Sequence, residues 1–334
     1  MSSGNEPEVY DITIIGAGPV GLYGLYYTSM RGMRAKVVDS LPQVGGQLMA
    51  LYPEKYIYDV PGFRKVLAKD LIHNLEDQAF QHNPTVCVNE RIATLTRGED
   101  GIITLVGESG NVHLSRTVLI AAGVGAFVPR KLDVPKLDVL EGRGVHYFVK
   151  NMADFKDKRV LIVGGGDSAV DWAMALEPIA KQIMLIHKFE QFQAHEKSVE
   201  DLRGTSTIIK VPYELKTIHG EEHVEGVTIF QNKTGVEEEH DVDALFMNIG
   251  FVTNLGPIKS WGLEISKNSV LVTAQMATNI PGVYAAGDIC THPGHLKLIS
   301  VGAGEAAVAV NNAKSFIDPT ARVEPGHSSH KKQE

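Results

Sequence analysis

Cysteine is almost absent from this 334-residue chain: Cys87 and Cys290 are the only two. Thiols so far apart in sequence give no disulfide framework and no metal-ligand spacing, and they read as small buried hydrophobes. No Cys-x-x-Cys occurs, so no dithiol of that kind can pass electrons to a disulfide. Long apolar runs are also missing, and the opening MSSGNEPEVY has neither a basic nor an apolar stretch; both features point to cytoplasmic residence with no membrane partner. Positive charge is in deficit, since 32 Lys and Arg against 40 Asp and Glu leave a net charge of −8. That balance argues against a nucleic-acid or anionic-membrane binder. What is present is ordinary: 43% hydrophobic and 22% charged residues fit a globular enzyme, and the length fits two domains rather than one.

Against this plain background, Gly-rich patterns stand out. An apolar strand over residues 11–15 runs into Gly16-Ala17-Gly18-Pro19-Val20-Gly21, a helical stretch to about Met30 follows, and a second strand ends in Asp39. Asp39 lies eighteen residues past Gly21, close to the spacing of a dinucleotide-binding βαβ unit. Gly16 makes the tight turn, Gly18 lets the backbone approach a pyrophosphate, Gly21 lets helix and strand pack closely, and Asp39 accepts from a ribose hydroxyl. The helix N-terminus adds free N–H groups and a positive dipole end.

The pattern recurs at residues 159–163, followed by Gly164-Gly165-Gly166-Asp167-Ser168-Ala169, a helix to about Leu176 and a strand over 182–187. Ala169 replaces the third glycine, a tolerated variant. This unit ends in His187-Lys188 rather than an acid. A carboxylate there suits a free 2′-hydroxyl, whereas a cation suits the 2′-phosphate of NADP. Gly164, Gly166, Asp167, Ser168, Ala169, His187 and Lys188 are therefore the expected NADPH site.

Apolar strands breaking at Gly123 and Gly250, and the turn Ala286-Gly287-Asp288, suggest one domain inserted in another. The expected fold is α/β: two Rossmann-like domains, the second inserted in the first, each with a parallel sheet plus a small antiparallel sheet. The outer domain comprises 1–120 and 256–334, the inner one 121–255. Segments 85–105 and 222–242 alternate β-branched and polar residues and read as antiparallel strands. From about Pro319 the composition is that of a disordered tail.

These strings, with the run PQVGGQLMALYPEKYIYDVPGF from Pro42 to Phe63 and with AAGVGAF, GGGDSAVDWA, GFVTNLGP and GVYAAGDI, resemble the thioredoxin-reductase-like flavoproteins, within them the bacterial ferredoxin–NADP reductases. The resemblance implies FAD in the first unit, held by Gly16, Gly18, Gly21, Asp39, Gly46, Gln47, Tyr52, Ile92, Phe127 and Asp288, with a helix beginning at Ile289. It implies that Tyr52 stacks on one flavin face and that the C-terminal stretch covers the other, with His327 as the ring and Ser329 as a further contact. It also implies a homodimer, domain rotation about breaks such as Gly123 and Gly250, and no acid–base residue. Where the disulfide reductases carry their dithiol, this chain has Phe148-Val149-Lys150-Asn151. Related reductases often place arginines after the histidine matching His187; here Lys188, Phe189 and Gln193 stand instead, which leaves NADH use open because lysine lacks the bidentate fork. The implied acceptor is ferredoxin, with Lys55, Arg64, Lys65 and Lys69 as a basic docking patch or a solvated helix face. The alternatives are a reductase of flavodoxin, of a low-molecular-weight disulfide or of free flavin, and a redox-sensing flavoprotein without turnover.

Overall fold

The computed structural model describes residues 8–325. Two compact units emerge, Met1–Ala126 with Thr253–Glu334, and Phe127–Val252, so the crossings fall at 126/127 and 252/253, a few residues from the breaks expected at 120/121 and 255/256.

In the first unit, β1 (Val9–Ile15) pairs in parallel with β2 (Ala35–Val38) on one side and with Val112–Ile120 on the other. The helix between them, α1 (Pro19–Met30), makes the crossover, because parallel neighbours cannot be joined by a tight turn. Strand Val283–Ala285 also pairs in parallel with Val112–Ile120. Both faces of this sheet are covered, and the strand alternation divides accordingly: Ile12 and Ile14 enter one apolar cluster, Ile15 the other. Full burial of Ile12 and Ile14 contributes about 1.5–3 kcal/mol each.

Strands Ile92–Arg97 and Ile103–Gly107 are antiparallel, as expected, but Thr85–Cys87 is not: it extends the parallel sheet beside β2. The reason is helix Ala68–Phe80, which precedes it and returns the chain to the same end of the sheet.

The second unit is built on β3 (Arg159–Val163), α2 (Asp167–Leu176) and β4 (Gln182–Ile186). Its parallel sheet runs Val145–His146, Ala244–Met247, β3, β4, Ile208–Lys210. Strands Tyr213–His219, Gly226–Gln231 and Glu237–Asp241 form the small antiparallel sheet.

The tail reading from Pro319 needs correction up to Pro325. The guanidinium of Arg31 donates to the carbonyls of Arg322 (2.8 Å) and Val323 (3.1 Å), which ties this stretch beside the last helix, α3 (Ile299–Ile317). His327 and Ser329 lie outside the described residues.

Candidate functional site

The first Gly-rich loop is a cradle that side chains would fill. Gly16 has φ +106°, and a β-carbon there would overlap the Ala121 carbonyl oxygen. One on Gly21 would overlap the Gly16 carbonyl oxygen, and one on Gly46 would come within 2.9 Å of the Gly18 α-carbon. Gly18 itself faces open space, its nearest neighbour for such a carbon being 3.9 Å away. Gly18 caps α1 with no side-chain acceptor and no acid in the first turn, so the leading N–H groups are left for an anion. Glycine is needed at Gly16, Gly21 and Gly46 by contact, and at Gly18 by what must approach it.

Asp39 does more than its spacing suggested. It is 8% exposed, accepts from Ala17 N–H at 2.6 Å and Leu41 N–H at 2.8 Å, and so braces the loop. Burial pushes its carboxyl above the usual range, opposed by those two N–H donors. Gln47 sits against Gly123, with its amide nitrogen 3.0 Å from where a β-carbon would stand. The Ile92 side chain is buried in the apolar core, which leaves its main chain for a cofactor. Phe127 lies in strand Ala126–Pro129; its side chain is outside those described.

Tyr52 and Asp288 are brought together. The Tyr52 phenol is pushed up to about 12 by burial and by the negative charges of Asp288 and Asp59. Burial also raises Asp288, opposed by the neighbouring Lys297 and His295. No helix begins at Ile289: a 3₁₀ turn Gly287–Ile289 passes into strand Cys290–Thr291, because Cys290 is extended and pairs in parallel with Val270; the Gly287 N–H is taken by Glu305 Oε2 at 2.8 Å. Glu305, which sequence reasoning missed, is 6% exposed on α3. Burial alone would raise its carboxyl, but Gly287 N–H, His292 and His295 outweigh it and hold it below the usual range.

The phenol's environment fixes a pH dependence. Because the folded Tyr52 holds its proton to about pH 12 and an unfolded tyrosine ionises near 10, the folded side binds more protons between those values. Stability therefore falls as pH rises through that window. Tyr52→Phe removes this contribution, so alkaline unfolding, followed by tryptophan fluorescence from pH 9 to 12, should begin at higher pH in the variant. Coincident curves would contradict it.

In the second unit, a β-carbon on Gly164 would overlap the Asn248 carbonyl oxygen, whereas one on Gly166, the cap of α2, would meet nothing within 4 Å. Gly166 has no side-chain cap partner, but this helix, unlike α1, carries an acid, Asp167, in its first turn. Ala169 is buried, and its β-carbon would stand 3.2 Å from one on Gly164, so it is the bare glycine at Gly164 that makes room for the third-glycine replacement. Asp167 accepts from His195 N–H at 2.9 Å, and Ser168 is exposed.

His187 and Lys188 part company. The His187 ring packs directly under Gly165, stacks on Phe192 at 5.7 Å and is buried; burial lowers its affinity for a proton. It is thus a prop for the loop, and the exposed Lys188 is the cation at the strand end. Asn248, read in sequence only as part of a strand break, has a buried amide nitrogen without a partner among the described residues, beside Gly164. Such an orphan fits a ligand group arriving there.

Arg64 and Lys65 are exposed in the turn between strands Tyr56–Ile57 and Val66–Leu67, not on a helix face. Lys65 lies over the Tyr56 ring at 4.2 Å, and Lys69 is paired with Glu54 at 3.0 Å.

A protein-family model described as pyridine nucleotide-disulphide oxidoreductase matches residues 10–313. The chain is 50% identical over 330 residues to a Geobacillus kaustophilus protein named ferredoxin–NADP reductase, covering 98% of this chain and 99% of that one. It is 53% identical over 325 residues to a protein of the same name from Halalkalibacterium halodurans, covering 97% and 98%. Among solved structures, Lactococcus lactis thioredoxin reductase matches with a TM-score of 0.78 at 23% identity, over 92% of this chain and 99% of that one. Staphylococcus aureus bacillithiol disulfide reductase matches with a TM-score of 0.73 at 18% identity, over 94% and 99%; both likenesses concern the fold.

Proposed function

Since the chain belongs to the pyridine nucleotide-disulphide oxidoreductase family, we propose that it works as a ferredoxin–NADP reductase, moving electrons between NADPH and ferredoxin through FAD. The observation that carries this reading is a pair of separate dinucleotide cradles, at Gly16–Gly21 and Gly164–Ala169, in a chain whose two cysteines are free thiols far apart in sequence. The names of its half-identical relatives support the same reading. Bound FAD supplies the chemistry, accepting a hydride and passing on single electrons. The chain's own residues bind and orient: α1 and the Gly16–Gly21 loop take the pyrophosphate, Asp39 the ribose, and Tyr52 with Asp288 border the flavin. Gly164, Gly166, Asn248 and Lys188 receive the nicotinamide nucleotide. No side chain is asked to move a proton.

A ferredoxin acceptor, with flavodoxin as a second, a homodimer and residence in the cytoplasm complete the proposal. Among the described residues no helix is long and apolar enough to cross a membrane. The test is NADPH-driven reduction of cytochrome c. Activity that requires added ferredoxin supports the reading, and activity only with a disulfide substrate or free flavin overturns it.

Nucleotide preference rests on Lys188. Losing one exposed cation costs about 1 kcal/mol, equivalent to a ~5-fold rise in KM. Lys188→Ala should show this rise for NADPH and little change for NADH. Equal effects on both would remove Lys188 from the phosphate site.

A further inference from the structure

Behind the Gly287–Asp288 turn lies a donor cluster that two-nucleotide electron transfer does not use. Cys290 Sγ lies 3.6 Å from Glu305 Oε2, while His295 Nδ1 and His292 Nε2 lie 2.8 and 2.9 Å from Glu305 Oε1. One ligand atom each from Cys290, His295 and Glu305 fall within 4.8 Å of one another. The Cys290 thiol is fully buried, and the His295 and Glu305 side chains are each 6% exposed. His292, 19% exposed, closes the outer side.

A buried carboxylate requires a counter-charge. Among the described residues the ion-pair partners of Glu305 are the two histidines, with no Lys or Arg. In addition, among the described residues His295 Nε2 is buried without a hydrogen-bond partner, so this ring has coordinating capacity that its bond to Glu305 does not use. One thiolate, two imidazoles and one carboxylate form the mixed sulfur, nitrogen and oxygen set that suits a borderline divalent ion in tetrahedral geometry.

We propose that Cys290, His295 and Glu305, with His292 as fourth ligand, bind one zinc ion. On binding, the Cys290 S–H bond and the N–H bonds that His292 and His295 direct at Glu305 break, the thiol proton leaves to solvent, each ring proton leaves to solvent or moves to the ring's other nitrogen, the sulfur and nitrogen pairs go to the metal, and no electron is transferred. Glu305 Oε2 keeps the Gly287 N–H, so the ion ties the Gly287–Asp288 turn to α3. The ligand positions 290, 292, 295 and 305 match no common zinc spacing, which is why the sequence alone gave no sign of the site.

The test uses the holoprotein with zinc chloride alone. After chelator treatment, zinc should bind at one ion per chain with a Kd below about 10 µM, and raise the thermal midpoint in a way that chelator reverses. Absorption at the zinc K-edge should show one sulfur at about 2.3 Å with nitrogen and oxygen neighbours. Cys87→Ser should keep that sulfur shell. Cys290→Ser should lose it, and His295→Asn should weaken binding at least tenfold. If Cys290→Ser fails to fold, the sulfur shell of Cys87→Ser decides by itself. Absence of stoichiometric binding, a zinc site without sulfur, or a sulfur shell that disappears in Cys87→Ser overturns the proposal.

Discussion

Replacing Gly21 by valine yields a colourless protein. The first added carbon already overlaps the Gly16 carbonyl oxygen, and the Ala121 β-carbon stands 3.6 Å away on the other side. Neither obstacle is the end of a flexible side chain. The loop must therefore open, and the bond that Gly16 N–H makes to the Val38 carbonyl at 2.8 Å holds it shut. Overpacking of this kind costs about 1–3 kcal/mol in a core that can relax and more where backbone meets backbone. Since Gly18 and the first turn of α1 move with the loop, the anion cradle is lost with it. FAD affinity should fall by about 100-fold, ~2.7 kcal/mol, read as the ratio of absorbance at flavin and protein wavelengths. A variant purified with the wild-type ratio would show that the cradle is not the flavin site.

Gly164→Val should divide the molecule's two activities. A β-carbon there overlaps the Asn248 carbonyl oxygen, so α2 and strand Ala244–Met247 can no longer present Gly166 and Asn248 to one ligand. The first unit does not contain this contact, and the protein should remain yellow. Anaerobic NADPH should then bleach the flavin at least about 100-fold more slowly, the equivalent of ~2.7 kcal/mol in the barrier, while dithionite bleaches it normally. Bleaching by NADPH at the wild-type rate would place the nicotinamide nucleotide elsewhere. Loss of colour would mean that the two cradles are not independent. Together the two valines assign one cofactor to each loop by opposite signatures.

Much of this arrangement was open to reading in the chain itself. Both strand–loop–helix–strand units follow from local rules: the glycines enforce the turn, apolar runs mark the buried parallel strands, and the acid or cation ends the second strand. These signals are short-range, with all their residues within about thirty positions, so no tertiary knowledge is needed to read them. The missing Cys-x-x-Cys belongs to the same class, since its consequence is chemical and independent of packing.

Other assignments required the fold. Thr85–Cys87 has strand composition, but whether it pairs parallel or antiparallel depends on the crossover helix before it. His187 and Lys188 are neighbours in sequence with similar charge potential, yet one is buried beneath Gly165 and the other faces solvent. Both lie just past the end of β4, and the loop's packing beneath Gly165 and against Phe192 decides which of them is covered. Asn248 lacks any motif, and becomes notable because its buried amide nitrogen has no partner among the described residues.

The ends of the chain show the same division. Composition marked everything after Pro319 as tail, whereas the carbonyls of Arg322 and Val323 are held by Arg31, a residue nearly three hundred positions earlier in the sequence. Glu305 reads in sequence as one polar residue in an alanine-rich helix. The pairing of α3 with α1, where Ala306 meets Gly24, turns Glu305 inward to meet Gly287, His292 and His295. By itself, then, the sequence determined where the two Gly-rich strand–loop–helix units lie and that it contains no Cys-x-x-Cys, because glycine loops and thiol pairs act through local backbone geometry and intrinsic chemistry. Only the tertiary structure decided which polar groups are buried, what braces each loop and where cysteine, histidine and glutamate converge, because burial and long-range pairing are properties of packed elements and not of any segment alone.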